Sequence, residues 1–217
     1  GPDQLNQLEK DLEIAQLTWS KSAKKLTAKR KKAAKQLIGH VSTTLTRLAM
    51  ERCDFQVVLT QRPEDTPDPA GAEQVEFLIS TNPGSAPGSL AKIASGGELS
   101  RISLALQVAA AESATAPTMI FDEVDVGIGG GVAEVVGELL NQLSQRVQVL
   151  CVTHLAQVAC KGLNHLQVSK TGDAAAVFTE VNMLETEARV EEIARMQGGL
   201  TITESTRAHA REMLNLH

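Results

Sequence analysis

Tyrosine is absent from this 217-residue sequence, tryptophan occurs once and phenylalanine four times. With so few rings the interior has to be filled by aliphatic side chains, and the basic run at 21–35, which no aromatic interleaves, is not expected to stack bases. Cysteine is scarce too: Cys53, Cys151 and Cys160 are odd in number and form no Cys-x-x-Cys pair. That pattern excludes a disulfide framework and a zinc knuckle. A reducing, cytoplasmic setting is the expectation, and Cys151, inside an apolar run, reads as a small buried hydrophobe. Long apolar runs are missing. Thr118–Phe121 and Val147–Val152 are far too short to span a bilayer. No charged stretch followed by an apolar one opens the chain, so neither a secretory signal nor a membrane partner is expected. Glycine is never followed by lysine, which excludes a phosphate-binding loop of the form G-x-x-x-x-G-K-S/T; the Gly-rich stretch at 84–92 lacks the spacing. The opening Gly1-Pro2 reads as a protease-cleavage remnant, which would make the chain an excised segment.

What is present is unevenly distributed. Residues 1–52 hold eleven Lys/Arg against five Asp/Glu, net +6, and the remainder holds ten against twenty-one, net −11. A basic arm on an acidic body is the natural reading. In the arm, Leu5, Leu8, Leu12, Ala15, Trp19, Ser22 and Leu26 alternate in steps of three and four, the seam spacing of a coiled coil, and Leu37, Val41, Leu45 and Leu48 continue a looser stripe. No proline falls between Asp3 and Gln61, and Gly39 is the only glycine there. One long helix is predicted. Its stripe needs a partner, and with no second long helix in the chain that partner is another chain or an upstream segment.

Beyond Met50 the pattern shortens. Strands are predicted at 55–60 and 74–80, separated by a Pro/Asp-rich loop at 63–71 and followed by a Pro/Gly/Ser loop at 82–89. Then come a helix at 97–111, a buried strand at 118–121, a helix at 131–143, a buried strand at 147–152 and a short helix at 155–160. Paired strands at 163–169 and 176–182 flank Gly172-Asp173, and helices at 186–196 and 203–214 close the chain. Strands alternating with helices predict an α/β fold, a mainly parallel sheet flanked by helices and preceded by a coiled-coil helix. Residues 1–52 read as the arm and 53–217 as the lobe.

Three segments carry chemistry. Met119-Ile120-Phe121-Asp122-Glu123 is an apolar strand ending in two carboxylates, placed where open α/β sheets hold ligands. In phosphoryl transfer the first carboxylate can hold Mg²⁺ and the second can polarise the attacking water; the bland alternative is a strand that stops at polar surface. Ser95-Gly96-Gly97-Glu98-Leu99-Ser100-Arg101 precedes a helix. Its glycines let backbone approach a ligand and its free N–H groups attract phosphate oxygens; the bland alternative is an N-cap, with Ser95 and Glu98 forming a capping box. Cys151-Val152-Thr153-His154 is a second apolar strand ending in a polar pair, and His154 can meet a γ-phosphate or orient water, or be merely structural. Asp125 begins a turn with Gly127, Gly129, Gly130 and Gly131, which is not a dinucleotide fingerprint.

Taken in order, these segments resemble the signature motif, Walker B motif, D-loop and H-loop of ABC-type ATPase heads. SGGELSR at 95–101, FDEVDVGIGG at 121–130 and THLAQVA at 153–159 are most similar to the SMC-like bacterial DNA-repair ATPases of the RecN type. The resemblance covers nearly the whole chain. It implies the C-terminal lobe of a head, with ATP and Mg²⁺ as ligands, Asp122 in the Mg²⁺ shell, Glu123 as general base, and His154 sensing the γ-phosphate. It also implies that Ser95, Gly96, Gly97 and Glu98 form the signature that meets ATP on a second head in an ATP-sandwiched homodimer. Asp125 would communicate across that dimer. The phosphate-binding loop, absent here, would lie in an N-terminal lobe, and the chain alone would bind ATP poorly. Such a protein would work in the bacterial cytoplasm, on the nucleoid.

Lys21, Lys24, Lys25, Lys29, Arg30, Lys31, Lys32 and Lys35 fall within fifteen residues free of acids. Lys29, Arg30, Lys31 and Lys32 are the candidates for non-specific contact with DNA phosphates, against the alternative of a solvated coiled-coil face. Two rival functions are an ABC transporter subunit, disfavoured by the long arm and by Glu98 where transporters usually carry Gln, and a non-enzymatic coiled-coil module with a degenerate head, disfavoured by Asp122, Glu123 and His154.

Overall fold

The computed structural model describes residues 1–63, 67–90, 95–111, 116–172, 177–198 and 201–216. The chain divides into two compact units, one of Gly1–Thr46 with Met50–Ile93, the other of Arg47–Ala49 with Ala94–His217. Among the described residues no helix is long and apolar enough to cross a membrane.

The first unit is built on helix α1, Pro2–Arg47. Proline at the first turn costs no hydrogen bond there, and Asp3 complements the helix dipole. Leu5, Leu8 and Leu12 stand 58–65% exposed, so this part of the stripe is open. Farther along, the chain covers its own helix. Trp19 Nε1 donates to the Asp68 carbonyl at 3.0 Å. Buried Gly71, at φ +101, lies so close to Leu26 that a Cβ would meet Leu26 Cδ2 at 2.7 Å; only glycine suits both the conformation and the space. Trp19 and Leu26 of the predicted seam therefore meet the segment between two strands of the same unit.

Those strands are β1, Asp54–Gln61, and β2, Glu73–Ser80, paired antiparallel from Asp54↔Ser80 to Gln61↔Glu73. A two-residue strand β3, Gly88–Ser89, inside the predicted loop, joins the other edge of β2. Phe55, 1% exposed, meets Phe77 at a ring-centroid distance of 5.7 Å, a diagonal cross-strand contact that fixes register. The Glu73 carboxylate, 3% exposed, accepts from Thr27 Oγ1 and pairs with Arg30 at 3.3 Å. The hydroxyl, with help from Arg30 and against burial, holds the Glu73 carboxyl below its ordinary value.

The second unit carries the motifs. Helix α2, Gly96–Ala109, buries Ile102, Leu104 and Ala105. Helix α3, Gly130–Ser144, buries Ala133, Val136, Leu139, Leu140 and Leu143, spacings that fall on one helical face. It connects strand β4, Thr118–Phe121, to strand β5, Gln148–Cys151, which pair in parallel from Thr118↔Gln148 to Phe121↔Cys151. Helix α4, Ala156–Ala159, follows; a Cβ on Gly137 would meet the Gln157 carbonyl at 3.0 Å, so α3 and α4 approach backbone to backbone. Strands β6, Leu166–Gly172, and β7, Val177–Met183, form an antiparallel hairpin. Helices α5, Thr186–Met196, and α6, Glu204–Met213, pack Val190, Ile193, Ala194 and Ala210 against Ala156 and Cys160 of the α4 region.

The predicted elements are present with ends shifted by a few residues. The parallel component is narrower than the strand–helix alternation suggests: among the described residues only β4 and β5 pair in parallel. Two strands cannot cover themselves. Ile120, Leu150 and Val152 are 72%, 40% and 61% exposed, while Phe121 on the opposite face is 6% exposed. The loop at 63–71 lies partly, and the turn at Gly172-Asp173 partly, outside the described residues.

Candidate active site

Both parallel strands end at the same edge, and register decides what meets there. Phe121 is opposite Cys151, and the ladder continues with Val152 N donating to the Phe121 carbonyl at 2.9 Å. The next residues, Asp122-Glu123 on one strand and Thr153-His154 on the other, therefore leave the sheet side by side.

After β4 the chain turns sharply. Asp122 Oδ1 accepts the Glu123 N–H at 2.9 Å, and the Val126 N–H reaches back to the Glu123 carbonyl at 3.3 Å. Glu123 itself sits at φ +58, a left-handed conformation that costs a side-chain-bearing residue roughly 1–2 kcal/mol. Asp122 and Glu123 are both exposed, whereas Asp125 is 2% exposed.

The start of α2 packs onto this turn. Ser95 caps the helix, its hydroxyl accepting from the Glu98 N–H at 3.4 Å, so the N-cap half of the capping alternative is present. The same segment also touches the acids. A Cβ on Gly96 would fall on the Glu123 carboxylate, and one on Gly97 would meet the Val126 carbonyl at 3.1 Å and the Glu123 carbonyl at 3.3 Å. Ser100 Oγ donates to the Asp122 carbonyl at 2.8 Å, and buried Arg101 donates to the Val126 carbonyl at 2.9 Å. Ser100 and Arg101, which sequence reasoning left without roles, thus tie the signature helix to the acidic turn. Their signal was their place within the motif.

From the β5 side, Thr153 Oγ1 donates to Asp125 Oδ2, and the His154 N–H donates to the same oxygen at 3.2 Å. His154 Nδ1 lies 3.3 Å from it, while the imidazole remains 69% exposed. Cys151 is half-buried rather than fully buried, and burial, with the Asp125 and Asp122 charges, pushes its thiol up to about 12.

Asp122, Glu123, Asp125, His154, Ser95, Gly96, Gly97 and Glu98 are thus gathered in one unit. Among the described residues no trio of His, Cys, Asp and Glu is arranged to hold a metal. One exposed carboxylate, Asp122, still suits Mg²⁺, which commonly takes one or two protein carboxylates and completes its shell with phosphate and water. The basic candidates lie on the other unit. Lys29, Lys31 and Lys32 are exposed, whereas Arg30 turns inward, bonding Glu73 and the Ala70 carbonyl.

Comparison with known proteins places this arrangement. No family model matches the chain. It is 46% identical over 97% of its length to the DNA repair protein RecN of Xylella fastidiosa, 44% identical over 98% to that of Vibrio cholerae, and 49% identical over 90% to that of Haemophilus influenzae. It spans 38%, 38% and 35% of those proteins. Among solved structures, the Smc head domain of Pyrococcus yayanosii with its coiled coil and joint superposes with TM-score 0.61 at 20% identity, over 88% of this chain and 34% of that one. The Smc head of Pyrococcus furiosus with an extended coiled coil gives 0.59 at 17% identity, over 91% and 46%. These likenesses show the fold: a C-terminal ABC/SMC-type head lobe with a long helix leading into it.

Proposed function

Because the chain belongs to the RecN family over the stretch it spans, we propose that it supplies the signature-bearing lobe and adjoining arm of an SMC-like DNA-repair ATPase. The observation that carries this reading is the meeting of the signature segment, the Asp122-Glu123 turn and the Thr153-His154 turn at one edge of the β4–β5 pair. Glu123 accepts a proton from, or orients, the attacking water; its exposed carboxylate on a strained turn suits a group that must be aimed. His154 presents its ring to the γ-phosphate. Ser95, Gly96 and Gly97, with Glu98 closing the cap, present N–H groups to ATP held on a second head. Asp122 would contribute an oxygen to Mg²⁺, and the ion would offset charge on the phosphates. Two heads would close around ATP and part on hydrolysis, holding or linking DNA.

Residues 1–52 act as the arm and 53–217 as the lobe in this scheme. The exposed apolar face of Ile120, Leu150 and Val152 supports a second lobe, because parallel strands are ordinarily covered on both faces. That lobe would bring the phosphate-binding loop. DNA contact is non-specific and falls to the exposed lysines of α1, and the setting is the bacterial cytoplasm, at the nucleoid. Purified alone, the chain is expected to show no magnesium-dependent ATP hydrolysis, and mixing with the lobe that carries the phosphate-binding loop restores it. Robust hydrolysis by the chain alone would sink the reading.

A further inference from the structure

We propose that Asp125 is a positioning residue that joins the two turns of the site and fixes the orientation of His154. This rests on the ATPase reading above and departs from the cross-dimer role that the motif resemblance implies. A carboxylate that meets a second head has to be exposed; that of Asp125 is 3% exposed and its bonds are within its own chain. One oxygen, Oδ2, takes three approaches: the Thr153 hydroxyl, the His154 N–H at 3.2 Å, and His154 Nδ1 at 3.3 Å. The first two lock the backbone after β5 to the turn after β4. The third brings the ring nitrogen beside the same oxygen. With Nδ1 facing the Asp125 carboxylate, Nε2 is the ring nitrogen left to meet phosphate or water.

The backbone on either side of this contact is bonded as well. It lies two residues beyond Glu123, and the Ile128 N–H returns to its carbonyl at 3.5 Å. Thr153 Oγ1 also accepts the Leu155 N–H at 3.0 Å, so the segment leading into α4 closes on the same side chain. A shift of Asp125 therefore moves His154 with respect to Glu123, and both groups act on the same phosphate. Buried acids without such a task are held by Arg or Lys, as Glu73 is by Arg30 and Glu192 by Arg195.

The test is a double-mutant cycle in the complete protein, read as steady-state ATP turnover. Asp125→Asn keeps an acceptor for Thr153 and the His154 N–H and removes the charge from Nδ1. It is expected to lower kcat tenfold or more with KM for ATP and melting temperature nearly unchanged. In a His154→Ala background the same change is expected to alter kcat less than twofold, because nothing remains to position. Thr153→Val, which removes one of the three approaches, is expected to give a smaller loss that also vanishes in the His154→Ala background; it serves if the Asn variant fails to fold. Equal losses with and without His154, or no loss in the parent, would overturn the inference while leaving the ATPase reading intact. Absence of magnesium-dependent turnover in the parent protein would overturn both.

Discussion

The two units use charge in opposite ways. In the second, the acidic turn is pinned: Asp122 bonds the Glu123 N–H, Ser100 and Arg101 hold its carbonyls, and Asp125 is buried among donors. In the first, Lys29, Lys31 and Lys32 are exposed and form no ion pair among the described residues, while their neighbour Arg30 is fastened to Glu73. Chemistry at a phosphate depends on atoms placed to a fraction of an ångström, which requires buried support. Attraction to a polyanion depends on charge density and tolerates mobile side chains. Arg30 marks the boundary between these uses, since it sits in the basic run by sequence and in the packing by structure.

The comparison can be broken most severely at Glu123. Glu123→Gln in the complete protein should slow ATP turnover by about 10²–10⁴-fold, the usual range for a general base, while ATP-bound head dimers accumulate on size exclusion. Unchanged turnover would move the base elsewhere. A smaller effect is expected from Lys29→Glu, Lys31→Glu and Lys32→Glu together, with Arg30 spared so that the Glu73 contact survives. If the three lysines meet phosphates, duplex-DNA affinity falls for every sequence and the log–log salt slope becomes shallower by roughly 0.9 per lost contact. Circular dichroism should show α1 intact, since Glu forms helix as readily as Lys, and an unchanged slope would favour the solvated-face reading.

The smallest effect concerns pH. The Glu73 carboxyl is held below its ordinary 4.5 by the Thr27 hydroxyl first and then by Arg30. A depressed folded value stabilises the folded state above the unfolded pKa and is lost as pH falls through the folded one. Acid unfolding followed below pH 4.5 should therefore include a contribution from Glu73, and Glu73→Gln should flatten that part of the profile while leaving the kcat of the complete protein at neutral pH unchanged. An identical acid limb in both proteins would remove Glu73 from the account.

How much of this was legible beforehand differs by element. The boundaries of β4, α3, β5 and α5 follow from apolar periodicity bounded by glycine and polar residues, and the structure places them within a residue or two. The exposure of Asp122 and Glu123 follows in the same way: an apolar strand that ends in acids has to release them at its edge. The inward turn of Arg30 was not, because a run of lysines and arginine along a helix has no local mark for the one that finds a buried carboxylate forty-three residues away. Nor was the strand β3, whose two residues lie in a Pro/Gly/Ser stretch and exist only as an edge for β2.

The sequence by itself determined the elements, the motif order and the chemical types at the site, because these depend on contacts within a few residues and on side-chain chemistry. Three things were left to tertiary structure: which part of the α1 stripe is covered, which basic residue is withdrawn, and which oxygen three groups share. Trp19 meets Asp68, Arg30 meets Glu73 and Asp125 meets His154 across separations of 49, 43 and 29 residues. Such meetings are set by how the helices and strands pack, since a polar group buried by that packing has to find its partner wherever the fold puts one.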